Sequence, residues 1–182
     1  MKYGYLQVIT GSMFSGKTTE LLRLLRRYEF AGKRVVLCKP KTDDRYSPTH
    51  AVTHDNTGEV AIVVESAADI ITHVDMENVD VVGIDEAQFF DEALVSVCLR
   101  FLEQGIIVVV AGLDMDRNQQ PFGCIPELLC RAKYITKLHA VCAGCSADAC
   151  YSYMSVDVKS ADQVHLGGAE AYQALCENCY PR

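Results

Sequence analysis

The residues best suited to chemistry near the start of the chain form one glycine-rich loop. They read Gly11-Ser12-Met13-Phe14-Ser15-Gly16-Lys17-Thr18. This is the G-x-x-x-x-G-K-[ST] pattern of a P-loop, in which glycines let backbone N–H groups wrap around a triphosphate. Lys17 is placed to contact the β- and γ-phosphates, and the Thr18 hydroxyl to ligate Mg²⁺. A strand pattern before the loop and a helix pattern after it favour phosphate binding over a chance match.

An acidic pair at the end of an apolar run is the second signal for phosphate chemistry. Residues 79–84 read as a buried strand, and Asp85-Glu86 follow it directly. In P-loop enzymes such an aspartate completes the Mg²⁺ environment, and the next residue stands where a base is able to act. An acidic pair at a helix N-terminus is the alternative. The apolar run and the upstream P-loop make that alternative the weaker one.

Nine cysteines divide into two groups along the chain. Two C-x₂-C pairs near the C-terminus have the spacing of a closed, structural Zn²⁺ site with four thiolate ligands, although a redox pair is the alternative. The predicted ligands are Cys142, Cys145, Cys176 and Cys179. Four others lie in apolar surroundings and are predicted to be small core residues. These are Cys38, Cys98, Cys124 and Cys130. The ninth, Cys150, is not at knuckle spacing and is predicted to be a free thiol.

Apolar strand patterns alternate with helix patterns through the first three quarters of the chain, which predicts a parallel sheet covered on both faces. The expected strands are 5–10, 34–39, 59–64, 79–84, 106–111 and 133–140, and the expected helices 19–30, 67–73, 91–104 and 126–132. The crowding of cysteines after His139 predicts a boundary between an α/β nucleotide-binding domain, 1–138, and a zinc-binding domain, 139–182.

Composition narrows the functional class. The chain has 182 residues, 23% of them charged, and a formal net charge of −7. This charge argues against a protein whose main partner is nucleic acid. No apolar run is long enough to span a bilayer, and the first strand pattern begins almost at the N-terminus, so we expect a cytoplasmic protein without a membrane partner.

Taken together, the motifs resemble the zinc-containing thymidine kinases, the type II, cytosolic kind. The likeness rests on the P-loop, the two C-x₂-C pairs and four further stretches, namely Asp43-Asp44-Arg45-Tyr46, Gly83-Ile84-Asp85-Glu86-Ala87-Gln88-Phe89-Phe90, Pro121-Phe122-Gly123 and Gly167-Gly168-Ala169-x-x-Tyr172. The resemblance implies a P-loop, RecA-like α/β fold. Its mostly parallel sheet would have flanking helices, and a small C-terminal zinc-ribbon-like domain would carry a lasso loop.

The family likeness also implies an activity, which is transfer of the γ-phosphate of ATP to the 5′-hydroxyl of thymidine in nucleotide salvage. ATP, Mg²⁺ and a structural Zn²⁺ would be required, in a homotetramer that dTTP is able to inhibit. Glu86 matches the general base. Nucleotide contacts would come from the eight P-loop residues with Asp43, Arg45, Asp85 and Gln88. The thymidine site would comprise Phe89, Phe122, Gln163, Val164, His165, Leu166, Gly167 and Tyr172.

Two positions depart from the family pattern. Arg117 stands where the family usually has an aromatic residue, and Met154 stands where it has arginine, two positions after the hydroxyl of Ser152. Both departures fall on the acceptor side. A related deoxyribonucleoside kinase with a different base preference is therefore one alternative function. A P-loop ATPase with a zinc ribbon that binds a macromolecule is another, but 146–175 contains a single lysine, Lys159.

Overall fold

The structure, a computed structural model, describes residues 3–41, 50–52, 58–154 and 171–181. Its strands are β1 (Leu6–Gly11), β2 (Val35–Pro40), β3 (His50–Val52), β4 (Gly58–Val60), β5 (Ile62–Val64), β6 (Val81–Ile84), β7 (Ile107–Gly112), β8 (Tyr134–Leu138), β9 (Ala140–Val141), β10 (Asp148–Ala149), β11 (Tyr151–Met154) and β12 (Tyr172–Leu175). Its helices are α1 (Lys17–Phe30), α2 (Ala67–His73), α3 (Ala93–Glu103) and α4 (Ile125–Arg131), with a 3₁₀ turn at Ala87–Phe89.

Six strands form one parallel sheet in the order β5-β2-β6-β7-β1-β8. The predicted α/β fold is confirmed. Strand β6 is buried along its whole length, as expected for a central strand of a sheet covered on both faces. Because β6, β7 and β1 are neighbours, their carboxyl ends meet at one edge, where parallel α/β sheets bind their ligands.

Helices cover both faces of the sheet with apolar side chains. Leucines at helical spacing on α1 pack against one face, among them Leu21, Leu22, Leu24 and Leu25. The other face is covered mainly by α2, α3 and α4, with Ile70, Leu94, Phe101 and Leu128 fully buried. No helix in the described ranges is long and apolar enough to cross a membrane.

Two expected strands are each divided in the structure. The single strand predicted at 59–64 is two strands, because β4 pairs antiparallel with β3 whereas β5 pairs parallel with β2 in the main sheet. The strand predicted at 133–140 ends at Leu138, and Ala140 begins β9, which pairs with β10 instead. In both places one apolar run supplies two sheets, which a local pattern does not reveal.

The remaining strands form a small C-terminal module, by which we mean residues 140–154 and 171–181. It contains two antiparallel pairs, β9 with β10 and β11 with β12. Its buried hydrophobic cluster is Ala140, Cys142, Ala149, Ala174, Leu175 and Cys176.

One cysteine prediction outside this module is wrong. Cys38, Cys98 and Cys124 are buried as expected, and burial raises the pKa of the Cys38 thiol to about 12. Cys130 is exposed, because the buried face of α4 carries Ile125 and Leu128 and Cys130 lies outside it.

Candidate active site

The P-loop connects β1 to α1 and contains three residues with positive φ. These are Gly11 at 141°, Phe14 at 66° and Gly16 at 83°. Lys17 Nζ donates to the carbonyl oxygen of Ser12 at 2.8 Å, so the lysine folds back across its own loop. The Ser15 hydroxyl is buried and has no hydrogen-bond partner in the described structure. The P-loop backbone, the Lys17 side chain that folds onto it and the unpartnered Ser15 hydroxyl together suit the binding of a polyphosphate.

Thr18 and Asp85 come together although 67 residues separate them in the chain. The Thr18 hydroxyl lies in the first turn of α1 and donates to the Asp85 carboxylate, at 3.0 Å from Oδ2 and 3.3 Å from Oδ1. Asp85 follows β6 and is 5% exposed. A hydroxyl and a carboxylate beside a phosphate loop are the oxygen ligands that Mg²⁺ takes in P-loop enzymes, so this pair fits the ion.

Glu86 is held in an unusual backbone conformation beside this pair. Its φ of 50° and ψ of 41° are left-handed, which is strained for a residue other than glycine and is common at functional sites. The Glu86 carboxylate accepts a 2.6 Å hydrogen bond from Gln88 Nε2. Gln88 is 3% exposed, and its Oε1 accepts the N–H of Leu113 at 3.0 Å. The amide of Gln88 therefore links Glu86 to the end of β7.

Aromatic rings lie next to the glutamine in sequence and space. Phe89 and Phe122 meet edge to face, with ring centroids 6.1 Å apart. Phe122 is buried and Phe89 is half-buried, so both rings are packed at this edge of the sheet. The Gly123 backbone approaches closely here, since a Cβ at Gly123 would lie 3.1 Å from the Gln88 carbonyl oxygen.

The segment 113–122 is anchored at several points. The Asp116 carboxylate accepts the N–H groups of Asn118 and Gln120, at 2.8 and 2.9 Å, and so closes a turn. Lys137 Nζ lies 2.7 Å from the Asp114 carboxylate, and this hydrogen bond raises the pKa of Lys137. These contacts fix the segment 113–122 near its start and at its turn, at the carboxyl edge of the sheet.

The two departures from the family pattern contact each other. Arg117 Nη1 lies 3.4 Å from Met154 Sδ, and the Tyr180 hydroxyl donates to the Arg117 carbonyl oxygen at 2.7 Å. Met154 also pairs with Tyr172 in the β11–β12 ladder, and the Tyr172 side chain is half-buried. The segment 113–122 is thus joined to the C-terminal module by these contacts.

The four predicted zinc ligands are brought together by the C-terminal module. The sulfur atoms of Cys142, Cys145, Cys176 and Cys179 all lie within 4.8 Å of one another. A tetrahedral zinc site with Zn–S bonds of about 2.3 Å places its sulfurs about 3.8 Å apart, so the donor set fits zinc. The N–H of Cys176 donates to Cys142 Sγ at 3.3 Å and lowers the pKa of that thiol to about 6, which favours the thiolate that a metal requires.

Several predicted site residues lie outside the described residues. They are Asp43, Arg45, Gln163, Val164, His165, Leu166 and Gly167. Within the described part, the structure brings together the P-loop, Asp85, Glu86 and Gln88, and it places Phe89 and Phe122 beside them.

Sequence reasoning missed the backbone partners of the site. The Leu113 N–H donates to Gln88, and the Ala149 carbonyl oxygen accepts the Ser12 hydroxyl at 3.1 Å. Backbone groups of this kind carry no signal in residue type, because nearly every residue has them. The Ser152 hydroxyl accepts the N–H of Met13 at 2.9 Å, a role that its match to a family hydroxyl does not predict. The Tyr180 contact had no signal beyond its place after the last cysteine.

Comparison with known proteins supports the same family. The family model described as thymidine kinase matches residues 4–180. A thymidine kinase of Porphyromonas gingivalis is 48% identical over 180 residues, which is 99% of this chain and 86% of that protein. A thymidine kinase of Bacteroides thetaiotaomicron is 45% identical over 98% of this chain and 88% of its own length. One from a Rhodothermus species is 46% identical over 97% and 81%. A family match across nearly the whole chain and identities of this size show that the chain belongs to the thymidine kinase family.

Proposed function

We propose that this protein transfers the γ-phosphate of ATP to the 5′-hydroxyl of thymidine, forming ADP and thymidine 5′-monophosphate. One observation carries the proposal. Glu86 follows Asp85 directly, its N–H donates to the Asp85 carboxylate that the Thr18 hydroxyl contacts, and its own carboxylate is held by Gln88. A base next to a phosphate and metal site is the arrangement that phosphoryl transfer to a hydroxyl requires.

The P-loop is proposed to hold the donor. Backbone N–H groups of residues 11–18 would face the phosphates, and Lys17, now on the Ser12 carbonyl, would contact the β- and γ-phosphates. The unpartnered Ser15 hydroxyl supports this role, because a buried hydroxyl without a partner is costly unless a ligand satisfies it. When bound, Mg²⁺ neutralises charge on the phosphates, and Thr18 and Asp85 are the residues proposed to hold it.

Glu86 is proposed to act as the general base. Its carboxylate would take the proton of the 5′-hydroxyl as that oxygen bonds to the γ-phosphorus, and the bond from phosphorus to the β–γ bridging oxygen breaks to release ADP. The hydrogen bond from Gln88 orients the carboxylate, and Gln88 is itself fixed by the Leu113 N–H. General-base assistance contributes about 10²–10⁴-fold, and positioning of donor and acceptor supplies much of the rest.

The acceptor site is proposed around Phe89, Phe122 and Tyr172. The edge-to-face pair of Phe89 and Phe122 supports the proposal of an apolar wall for the base, and by the family likeness Tyr172 would contact the sugar. By the family likeness, backbone atoms of 163–167 would meet the base, and Asp43 and Arg45 would lie near the nucleotide.

The test is ADP release by the zinc-loaded protein with ATP and Mg²⁺, using thymidine, deoxyuridine, deoxycytidine or single-stranded DNA as the added partner. We expect thymidine to stimulate turnover most, with mass spectrometry showing a 5′-monophosphate product. Greater stimulation by another deoxyribonucleoside would make that nucleoside the proposed substrate in place of thymidine. Stimulation by single-stranded DNA without any nucleoside phosphorylation would overturn the kinase proposal.

From the sequence we also propose a structural Zn²⁺ on the four cysteines, a division into domains at 138/139 and a cytoplasmic location. The family likeness adds a homotetramer and inhibition by dTTP to the proposal. The closeness of the four sulfurs supports the first, and the change of sheet between Leu138 and Ala140 supports the second.

A further inference from the structure

The start of the P-loop is hydrogen-bonded to the C-terminal module at two consecutive residues. The Ser12 hydroxyl donates to the Ala149 carbonyl oxygen at 3.1 Å, and the N–H of Met13 donates to the Ser152 hydroxyl oxygen at 2.9 Å. The partners are 137 and 139 residues apart in the chain. Ser12 is 2% exposed and Ser152 is 6% exposed, so water does not replace either contact easily.

The two partners belong to strands that lead into the cysteine cluster. Ala149 ends β10, which pairs with β9, and Cys142 follows β9 directly. Ser152 lies opposite Ala174 in the β11–β12 ladder, and Cys176 follows β12 directly. Each of the two P-loop contacts is therefore joined to the cysteine cluster by one strand pair. A metal that orders the cysteines would also fix the positions of Ala149 and Ser152.

The P-loop needs such support immediately after these residues. Phe14 has a φ of 66° and is exposed, so its own side chain does little to hold it in the left-handed region. A residue other than glycine stays in this region only when neighbouring contacts over-determine its backbone. The hydrogen bond from Met13 fixes the Ser12–Met13 peptide, one residue before the strained backbone of Phe14.

We propose that Ser152 is a positioning residue for ATP. Its hydroxyl holds the N–H of Met13, and through it the shape of the loop that presents the later N–H groups to the phosphates. The C-terminal module thereby supports the donor site as well as the acceptor site. This inference rests on the proposed function only in that the P-loop binds ATP, and it does not depend on which nucleoside is phosphorylated.

The test compares Ser152→Ala with Ser152→Thr in the zinc-loaded protein, by titration with a fluorescent ADP analogue and no nucleoside present. Removing the acceptor of the Met13 N–H, whose hydrogen bond is part-buried, is expected to weaken ADP binding about tenfold in Ser152→Ala. Ser152→Thr keeps the hydroxyl and should bind ADP as the parent does. Ser96→Ala, which removes an exposed hydroxyl from α3, is the matched control and should change nothing.

Hydrogen exchange of the peptide 11–18 supplies a second readout, and it should be faster in Ser152→Ala at an unchanged melting temperature. Ser12→Ala removes the neighbouring contact and should act in the same direction, which keeps the test decisive if Ser152→Ala fails to fold. Parent-like ADP affinity in a folded Ser152→Ala variant would overturn the proposal. So would equal losses in the Ala and Thr variants, or a change confined to the KM for thymidine. Because ADP binding is measured without an acceptor, the titration tests this inference even if the parent protein does not phosphorylate thymidine, a result that would count against the proposed function instead.

Discussion

Strand β6 lies buried in the middle of the parallel sheet, between α1 on one face and α2 and α3 on the other, whereas the C-terminal module buries six hydrophobic residues. Three of these six are alanines and two are predicted zinc ligands. Burial of large apolar side chains is sufficient to order the sheet. A module with so little apolar surface needs a further source of order, and four converging thiolates provide one when a metal binds.

This contrast also divides the proposed chemistry. The proposed base Glu86, the pair proposed to hold Mg²⁺ and the loop lysine all stand on the carboxyl edge of the sheet, where buried strands fix their backbones. The C-terminal module supplies none of these groups. It holds Arg117 and the start of the P-loop through hydrogen bonds. The residues proposed for catalysis and the contacts that hold the loops therefore lie in different regions of the fold, and variants in one region should leave the other unchanged.

Glu86→Gln should have the largest effect, and it should be confined to chemistry. The amide keeps a contact with Gln88 but does not accept a proton, so kcat should fall about 10²–10⁴-fold while ADP affinity and zinc content stay unchanged. Steady-state kinetics together with ADP titration checks this. Glu92→Gln, at an exposed acid of the next segment, is the matched control. Near-normal turnover in Glu86→Gln would remove Glu86 from the base role.

Zinc removal should show the opposite pattern. A module that must order on binding adds about 2–5 kcal/mol to the cost of thymidine binding, so the Kd should rise at least about 30-fold. Calorimetry of thymidine binding after chelation, with metal content measured alongside, checks the expectation. Hydrogen exchange should rise in 140–154 and 171–181 while β6 and β7 stay protected. Cys176→Ser should mimic chelation and Cys130→Ser, at an exposed cysteine, should not. Loss of protection in β6 and β7 together with the C-terminal module would show that the two regions do not order independently.

Gly83→Ala should have the smallest effect, and it should be confined to the sheet. A Cβ on Gly83 would lie 2.5 Å from Leu25 Cδ1, within the packed layer between β6 and α1. Overpacking of this kind costs about 1–3 kcal/mol, which lowers the melting temperature by about 2–4 °C per kcal/mol. Calorimetric unfolding measures the shift, and zinc affinity should stay unchanged. The double variant with Leu25→Ala should lose less than the two single losses added together, because the new methyl group partly fills the space. Strict additivity would count against this contact.

The sheet edge could be predicted from sequence because each of its parts is a local pattern. The P-loop and the Asp85-Glu86 pair both follow apolar runs, and parallel strands in a covered sheet bring their carboxyl ends to one edge. The convergence of four cysteine sulfurs was predictable for a similar reason, since two C-x₂-C pairs have the spacing of one four-thiolate site. The division of 59–64 between two sheets was not predictable, because strand partners are distant in the chain and leave no local mark.

The contact between Arg117 and Met154 shows a second limit of sequence reasoning. Each residue was identified as a separate departure from the family pattern, with no reason to connect them. The structure places the guanidinium against the thioether, 37 residues apart in the chain. Opposite charges or paired cysteines can be expected to meet on the basis of residue type. An arginine and a methionine cannot, so the sequence does not predict their contact.

By itself, the sequence determined the fold class, the glycine-rich loop, the acidic pair that follows a buried strand and the four cysteines that converge. Residue type and spacing suffice for these because glycine, lysine, carboxylate and thiolate chemistry is set by the side chains. Only the tertiary structure decided that Gln88 joins Glu86 to the Leu113 N–H, and that Ser152 holds the N–H of Met13. Those contacts use backbone groups, which every residue has, so their choice of partner is made by packing alone.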